Sequence, residues 1–385
     1  MKLEIFNNKL LLQIILLCLV QPDYLKQIEF TDKLYSFLTI LCVLFVFFLI
    51  YIEKKWTNVF LWIICFYGYI LFTTSINNYT NIIPYFKINV LPFVLCLVFF
   101  LWMNKNPKVL IEAFEVLEIY VYVNLITILL FPEGLYESGL YTKNWFLGYK
   151  NPQIRTILPI LSISIINSYI KFGKISLRVY LLYVASIATF ILINSVTSLI
   201  GIIFFTLVLF LFHKDYIKIP KFLNLLSFAI ITLFIDYLII FYHIQYKFSF
   251  FFTNILNRSL SFTARTTIWN IAIKHINESL LIGHGYMTTN EFANLYGYIT
   301  YTHPHNYYLY LFTMGGIILF LIFIIGIIIA NNQIMRCFDN FCCKVIFICL
   351  ISFLIMGISE ALVSTVLLYP MLILGMNIEK LCKLK

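Results

Sequence analysis

The sequence predicts an all-α integral membrane protein of about 12 transmembrane helices, with one large extracytoplasmic loop carrying short helices. Three observations carry that prediction. Of the 385 residues, 62% are hydrophobic and 11% charged, and the mean hydropathy of +0.93 lies far above that of soluble domains, which are about 45–50% apolar. Apolar runs of about 16–25 residues recur along the whole chain, enough or nearly enough for a helix to cross a hydrocarbon core of about 30 Å. The basic residues, finally, gather in alternate connections, as the positive-inside rule requires. A β-barrel would instead show short segments of alternating hydrophobicity.

Spans are expected at 10–25, 34–52, 56–74, 88–103, 109–131, 153–170, 179–194, 197–212, 222–243, 305–330, 345–359 and 361–378, so that residues 1–385 form a single polytopic membrane domain. The first span, "LLLQIILLCLVQPDYL", carries Pro22 and Asp23 near its end and reads as a shallow or re-entrant helix. No small-x-small cleavage site follows it, so it is retained. With both termini in the cytoplasm, the inside connections hold 17 of the 27 lysines and arginines. The net charge of +10 is therefore mostly a topology signal, and no nucleic acid is needed to explain it.

All nine cysteines fall in spans or cytoplasmic segments, away from the oxidising side. Cys337, Cys342 and Cys343 cluster in sequence, but no histidine lies beside them and the spacing fits no zinc pattern, so palmitoylated or plain reduced thiols are expected there.

Two connections are long, 132–152 and 244–304, both on the outside. Loops of such length in a compact protein are functional or disordered, and the second is not low-complexity: it holds His275, His284, His303, His305, Arg258 and Arg265. Within it "SFTARTTIWNIAIKHINESLL" reads as a helix whose stripe runs through Ile268, Ala272, Ile276 and Leu280. Arg265 falls on that stripe, where an arginine either finds a partner or snorkels to anchor an interfacial helix. "GHGY", 283–286, reads as a helix stop.

The stretch "THPHN", 302–306, opens the next span. Thr302 or His303 is the expected N-cap, with Pro304 at the first helical position and His305 and Asn306 in the first turn. Free backbone amides and the helix dipole at that point favour an anion. The plainer reading of His305 is an interfacial histidine bonded to backbone. Histidines two apart diverge on a helix, which disfavours a shared metal. Gly315 and Gly316 would let this helix approach a neighbour closely. Ionisable residues also sit at the edges of other spans: Arg155, with Lys150 five residues before it, Asp236 and Glu360. An aspartate such as Asp236 is equally well explained by a structural pair with Arg155 or Arg258, and Glu112, Glu115 and Glu118 read as interfacial.

Together, "RTTIWNIA" (265–272), "LLIGHGY" (280–286) and "HPHNYYLYLFTMGG" (303–316) resemble the signature of the O-antigen ligase and Wzy-type polymerase superfamily, multi-span bacterial membrane enzymes that handle polysaccharide carried on undecaprenyl pyrophosphate. The likeness is best over 258–330, and "WFLGYKN" (145–151) is similar to a looser stretch in the polymerases. Leu319 stands where many members have a second glycine. The resemblance implies that Arg265 and His305 act catalytically at the pyrophosphate or acceptor; Arg155, Lys150, His303, Asn306, Trp269 and Glu360 are the expected substrate-binding set around them.

It further implies a multi-pass protein of the bacterial cytoplasmic membrane that polymerises lipid-linked repeat units of O-antigen, capsule or exopolysaccharide by inverting transfer at the outer face. Its partners would be undecaprenyl-pyrophosphate-linked glycans, membrane lipid and a chain-length regulator, with no cofactor. The outer loops carry no Asp-x-Asp or other carboxylate pair, so a metal-independent reaction is expected. A ligase moving finished chains to a terminal acceptor is the alternative within the same class. A lipid-oligosaccharide flippase or transporter would place polar groups at the bilayer midplane, whereas here they gather at one face.

Overall fold

A computed structural model describes residues 2–138, 141–213, 222–244, 247, 265–297, 302–360, 362 and 367–384. Of the expected loop 244–304, the stretches 248–264 and 298–301, with Arg258, Tyr298 and Tyr301, lie outside the described residues. Each expected span overlaps a helix among the described residues, with 361 and 363–366 of the last span outside them. Six helical segments among the described residues are long and apolar enough to cross a membrane: Glu29–Glu53, Asn58–Asn77, Tyr79–Lys105, Pro107–Leu130, Leu225–Tyr242 and Tyr307–Arg336. Others are shorter than expected. Lys9–Leu19 has 11 residues and Leu368–Met376 has 9, and at 1.5 Å per residue neither reaches much past half of a ~30 Å core.

Lipid-facing and buried helices differ in what they expose. Glu29–Glu53 buries only Val46 and Leu49 and presents Phe37, Leu44 and Phe48 outward, as a helix bathed in hydrocarbon should. Ile154–Phe172 lies at the centre and carries Ser162, Ser164, Asn167 and Ser168 fully buried. These polar groups are satisfied inside the protein, where they cost little: Ser164 Oγ donates to Glu118 Oε1 at 2.5 Å and Asn167 donates to Glu115. Glu118 is thus a buried acceptor and not the interfacial residue its position suggested.

Basic side chains cluster at one end of the bundle. Glu115 draws Lys9 (3.5 Å), Lys171 (3.0 Å) and Arg178 (2.7 Å) together, while Lys105 pairs with Glu53 and Lys380 bonds Asn104. At the opposite end, the 132–152 connection folds into a three-stranded antiparallel sheet of Tyr136–Ser138, Tyr141–Trp145 and Gly148–Tyr149, an addition to the all-α expectation. Its second turn needs glycine: Gly148 has φ +93°, and a Cβ there would lie 2.3 Å from Asp23 Oδ2.

The helix Tyr307–Arg336 is broken at Gly316 (φ 60°, ψ −157°). The segment 280–285 fills the break. His284 N–H donates to Thr313 O (2.8 Å) and Gly285 N–H to Met314 O (2.9 Å), while Ile317 and Ile318 N–H donate to Leu280 O (2.9 Å) and Leu281 O (3.3 Å). Irregular backbone at such depth survives only where protein satisfies it, and these four bonds do so. Asn77 Nδ2 donates to Gly283 O (2.8 Å) from the other side. Gly315 and Gly316 do permit close approach, but to this segment, not to a helix. The stop read at "GHGY" comes earlier, at Glu278, and Gly283 and Gly285, both with positive φ, shape the inserted segment. Leu319 lies fully buried in the turn beyond the break.

Candidate active site

The site begins with Asn306. Its Oδ1 accepts from Leu309 N–H (2.9 Å), so it caps Tyr307–Arg336, and its Nδ2 donates to Asp236 Oδ1 (2.6 Å) and Ile358 O (3.0 Å). One fully buried amide therefore joins three elements. Asp236 is accordingly held by Asn306 among the described residues, and its expected alternative partner Arg258 lies outside them. The cap expected at Thr302 or His303 is corrected to Asn306, because His305 adopts φ +50°, which no helical first turn allows. His305 thus precedes the helix. Its N–H donates to His303 Nδ1 (3.2 Å) and the two rings lie 4.1 Å apart, so these imidazoles converge where helical spacing would have separated them. Trp269 Nε1 donates to Pro304 O (3.0 Å) and fixes the turn from the Arg265–Glu278 helix. On that helix Ile268, Ala272 and Ile276 are buried as the stripe predicts, whereas Leu280 lies past its end and is 43% exposed.

Arg155, His303, His305 and Glu360 line a cavity of about 240 Å³, walled by Tyr141, Tyr149 and Tyr310. Glu360 Oε1 accepts from Asn151 Nδ2 at 3.0 Å and meets Arg265 Nη2 at 3.5 Å. Arg265 Nη1 donates to Ser359 O at 2.5 Å, so Arg265 stands behind the acidic wall while Arg155 lines the cavity itself. Lys150 lies elsewhere, in a neighbouring cavity of about 470 Å³ with Lys143 and Asn194, its Nζ 6.0 Å from the Tyr149 ring. Tyr141 and Tyr149, stacked at 4.0 Å, contribute to both cavities. Sequence reasoning singled out neither these tyrosines nor Asn151 as site residues, although two of the three lie in the "WFLGYKN" stretch.

The guanidinium groups of Arg155 and Arg265 both lie near the two histidines. Burial, then the adjacent His305 and the two arginines, holds His303 well below the usual histidine range. Burial, then Arg265 and Arg155, pushes His305 down to about 3. Among the described residues its Nδ1 is buried with no hydrogen-bond partner, which is the kind of polar atom that asks for an explanation in function. In the substrate-free protein His305 is therefore neutral, and kcat/KM should show no His305 limb between about pH 5 and 8. A limb near 6.5 that disappears in His305→Gln would contradict this. The linkage runs with acid: an unfolded histidine protonates near 6.5 and the folded one resists to about 3, so stability is lost as pH falls through that window.

His275, Glu278 and His284 also bring ligand atoms within 4.8 Å of one another. Their imidazoles stack in parallel at 3.6 Å, however, and His284 Nε2 is engaged by His275 O at 2.8 Å, an arrangement suited to packing more than to convergence on one ion.

No curated protein and no solved structure matches the chain. Residues 181–324 match the family model described as O-antigen ligase, a stretch that includes Asp236, Arg265, Trp269, His303, His305, Asn306 and the helix break, while Arg155 and Glu360 fall outside it. Through residues 181–324 the chain carries an O-antigen ligase family domain, which supports its place in the O-antigen ligase and Wzy-type polymerase superfamily.

Proposed function

We propose that the protein is a polysaccharide polymerase that transfers a glycan from its undecaprenyl pyrophosphate carrier to the next lipid-linked repeat unit, at the outer face of the bacterial cytoplasmic membrane. The observation that carries the reading is the cavity that half-buried Arg155 and neutral His305 both line, backed by the Arg265–Glu360 pair. It lies at the end of the bundle opposite the basic cluster around Glu115, which favours the outer face.

The chemistry asks for little else. An acceptor hydroxyl attacks the anomeric carbon as the bond to the phosphate oxygen breaks, and the electron pair leaves with the pyrophosphate. That growing charge is stabilised by fixed cations, with Arg155 offering a fork that matches phosphate oxygens. Arg265 supports it from behind Glu360. His305 Nδ1 orients the hydroxyl and takes its proton; the anion's arrival beside it raises its basicity from the empty-site value. Attack opposite the leaving group inverts the anomeric centre. Trp269 and Asn306 act as positioning residues, since their polar hydrogens are engaged by Pro304, Asp236 and Ile358. Lys150, with the larger cavity, would meet sugar further from the reacting bond.

A second reading, compatible with the description of the matched family, is a ligase that moves finished chains to a terminal acceptor. Deleting the gene in its host and sizing the glycan, both on undecaprenyl pyrophosphate and at the cell surface, separates the two. Single repeat units in place of long chains identify a polymerase. Long chains retained on the lipid identify a ligase, and repeat units trapped on the cytoplasmic face would overturn both.

A further inference from the structure

We propose that Cys337, Cys343 and Cys382 form a binding site for one thiophilic metal ion of the zinc or cuprous class, at the end of the bundle opposite the catalytic cavity. Sequence spacing spoke against zinc because it showed only the 337–343 cluster. The fold supplies the missing thiol. Cys337 closes the helix Tyr307–Arg336, Cys343 stands in the first turn of Phe341–Gly357, and Cys382 ends the terminal helix Ile378–Cys382.

The three sulfurs lie within 4.8 Å of one another, with Cys343 and Cys382 at 3.3 Å. A metal with bonds of about 2.3 Å to thiolates in tetrahedral array sets sulfurs about 3.8 Å apart, so a single ion can reach all three with small adjustments. Cys343 is buried and the other two half-buried, giving an entry side and a shielded floor. Other cysteines, such as Cys349, serve as small apolar core residues; packing alone gives no reason for three to converge. This end carries the basic cluster and reads as cytoplasmic, where thiols persist and disulfides do not. On binding, three S–H bonds break, three metal–sulfur bonds form and the protons leave to solvent, tying the terminal helix to the turn 337–343.

The full chain, purified in detergent under a phosphine reductant and stripped with chelator, should retain one zinc per chain after loading with Zn²⁺ and gel filtration. Cd²⁺ in its place should give a thiolate-to-metal absorption band, and competition with Cu⁺ decides which member of the class binds more tightly. Cys382→Ser, in a five-residue helix at the end of the chain, should weaken binding more than ~10-fold, and Cys65→Ser, on an exposed position, should not. Binding that survives Cys382→Ser, a wild-type protein that retains no metal, or a Cys343–Cys382 disulfide trapped by alkylation in living cells would each overturn the proposal.

Discussion

Arg155→Ala is expected to lower glycosyl transfer by about 10²–10³-fold while leaving the protein inserted and monodisperse, the loss typical of removing one charge-stabilising donor. Arg155 lines the cavity, whereas Arg265 reaches Ser359 O and Glu360 from behind it, so the second arginine is not placed to replace the first. Arg155→Lys should recover only part of the activity, because a point charge lacks the planar fork. The check is polymer length in a deletion host complemented with each variant, alongside membrane levels of the protein. Wild-type polymer from Arg155→Ala would remove the pyrophosphate from this cavity.

Gly283→Val should destabilise the fold by roughly 3 kcal/mol or more. A Cβ at Gly283 would lie 2.5 Å from the backbone nitrogens of both Gly315 and Gly316, and backbone cannot rotate away as a side chain can. The left-handed φ of +78° adds about 1–2 kcal/mol for any residue with a Cβ. Gly297 provides the comparison: its φ is +73°, yet none of the described residues lies within 4 Å of its Cβ position, so Gly297→Ala should show the conformational cost alone. Thermal unfolding and the monodisperse fraction in detergent read both. Equal effects of the two variants would mean that segment 280–285 is not seated in the helix break.

These two predictions rest on features of very different legibility. Arg155 was visible as a charge at the edge of an apolar run, because placing ionisable groups near lipid is costly and therefore meaningful. The approximate location of the long apolar helices was legible for the same reason, whereas Lys2–Asn7 and Thr289–Tyr296 were not foreseen. Helix lengths were not: hydropathy does not distinguish lipid from protein interior, and Phe341–Gly357 is apolar although 15 of its 17 residues are buried within the bundle.

The break at Gly316 was legible only as paired small residues, since its stability depends on hydrogen bonds from 280–285, some 30 positions away. Pairings such as Asp236 with Asn306 and Arg265 with Glu360, 70 and 95 residues apart, carry no local signature at all. At His305, the proline at 304 pointed to an early helix start, but Asn306 made the better cap. Lys150 was grouped with Arg155 by proximity, until the tight turn at Gly148 aimed the hairpin so that the two line separate cavities.

The four backbone hydrogen bonds between 280–285 and the interrupted helix involve no side chain of the inserted segment. They register the depth of Arg265 and Trp269 mechanically against the membrane-embedded scaffold, independent of which sugars the surrounding loops contact. Side chains of the surrounding loops can therefore change while Arg265 and Trp269 keep their alignment. The glycines at 283, 285, 315 and 316 act in this sense as a fixed mount, and variability is free to accumulate on everything bolted to it.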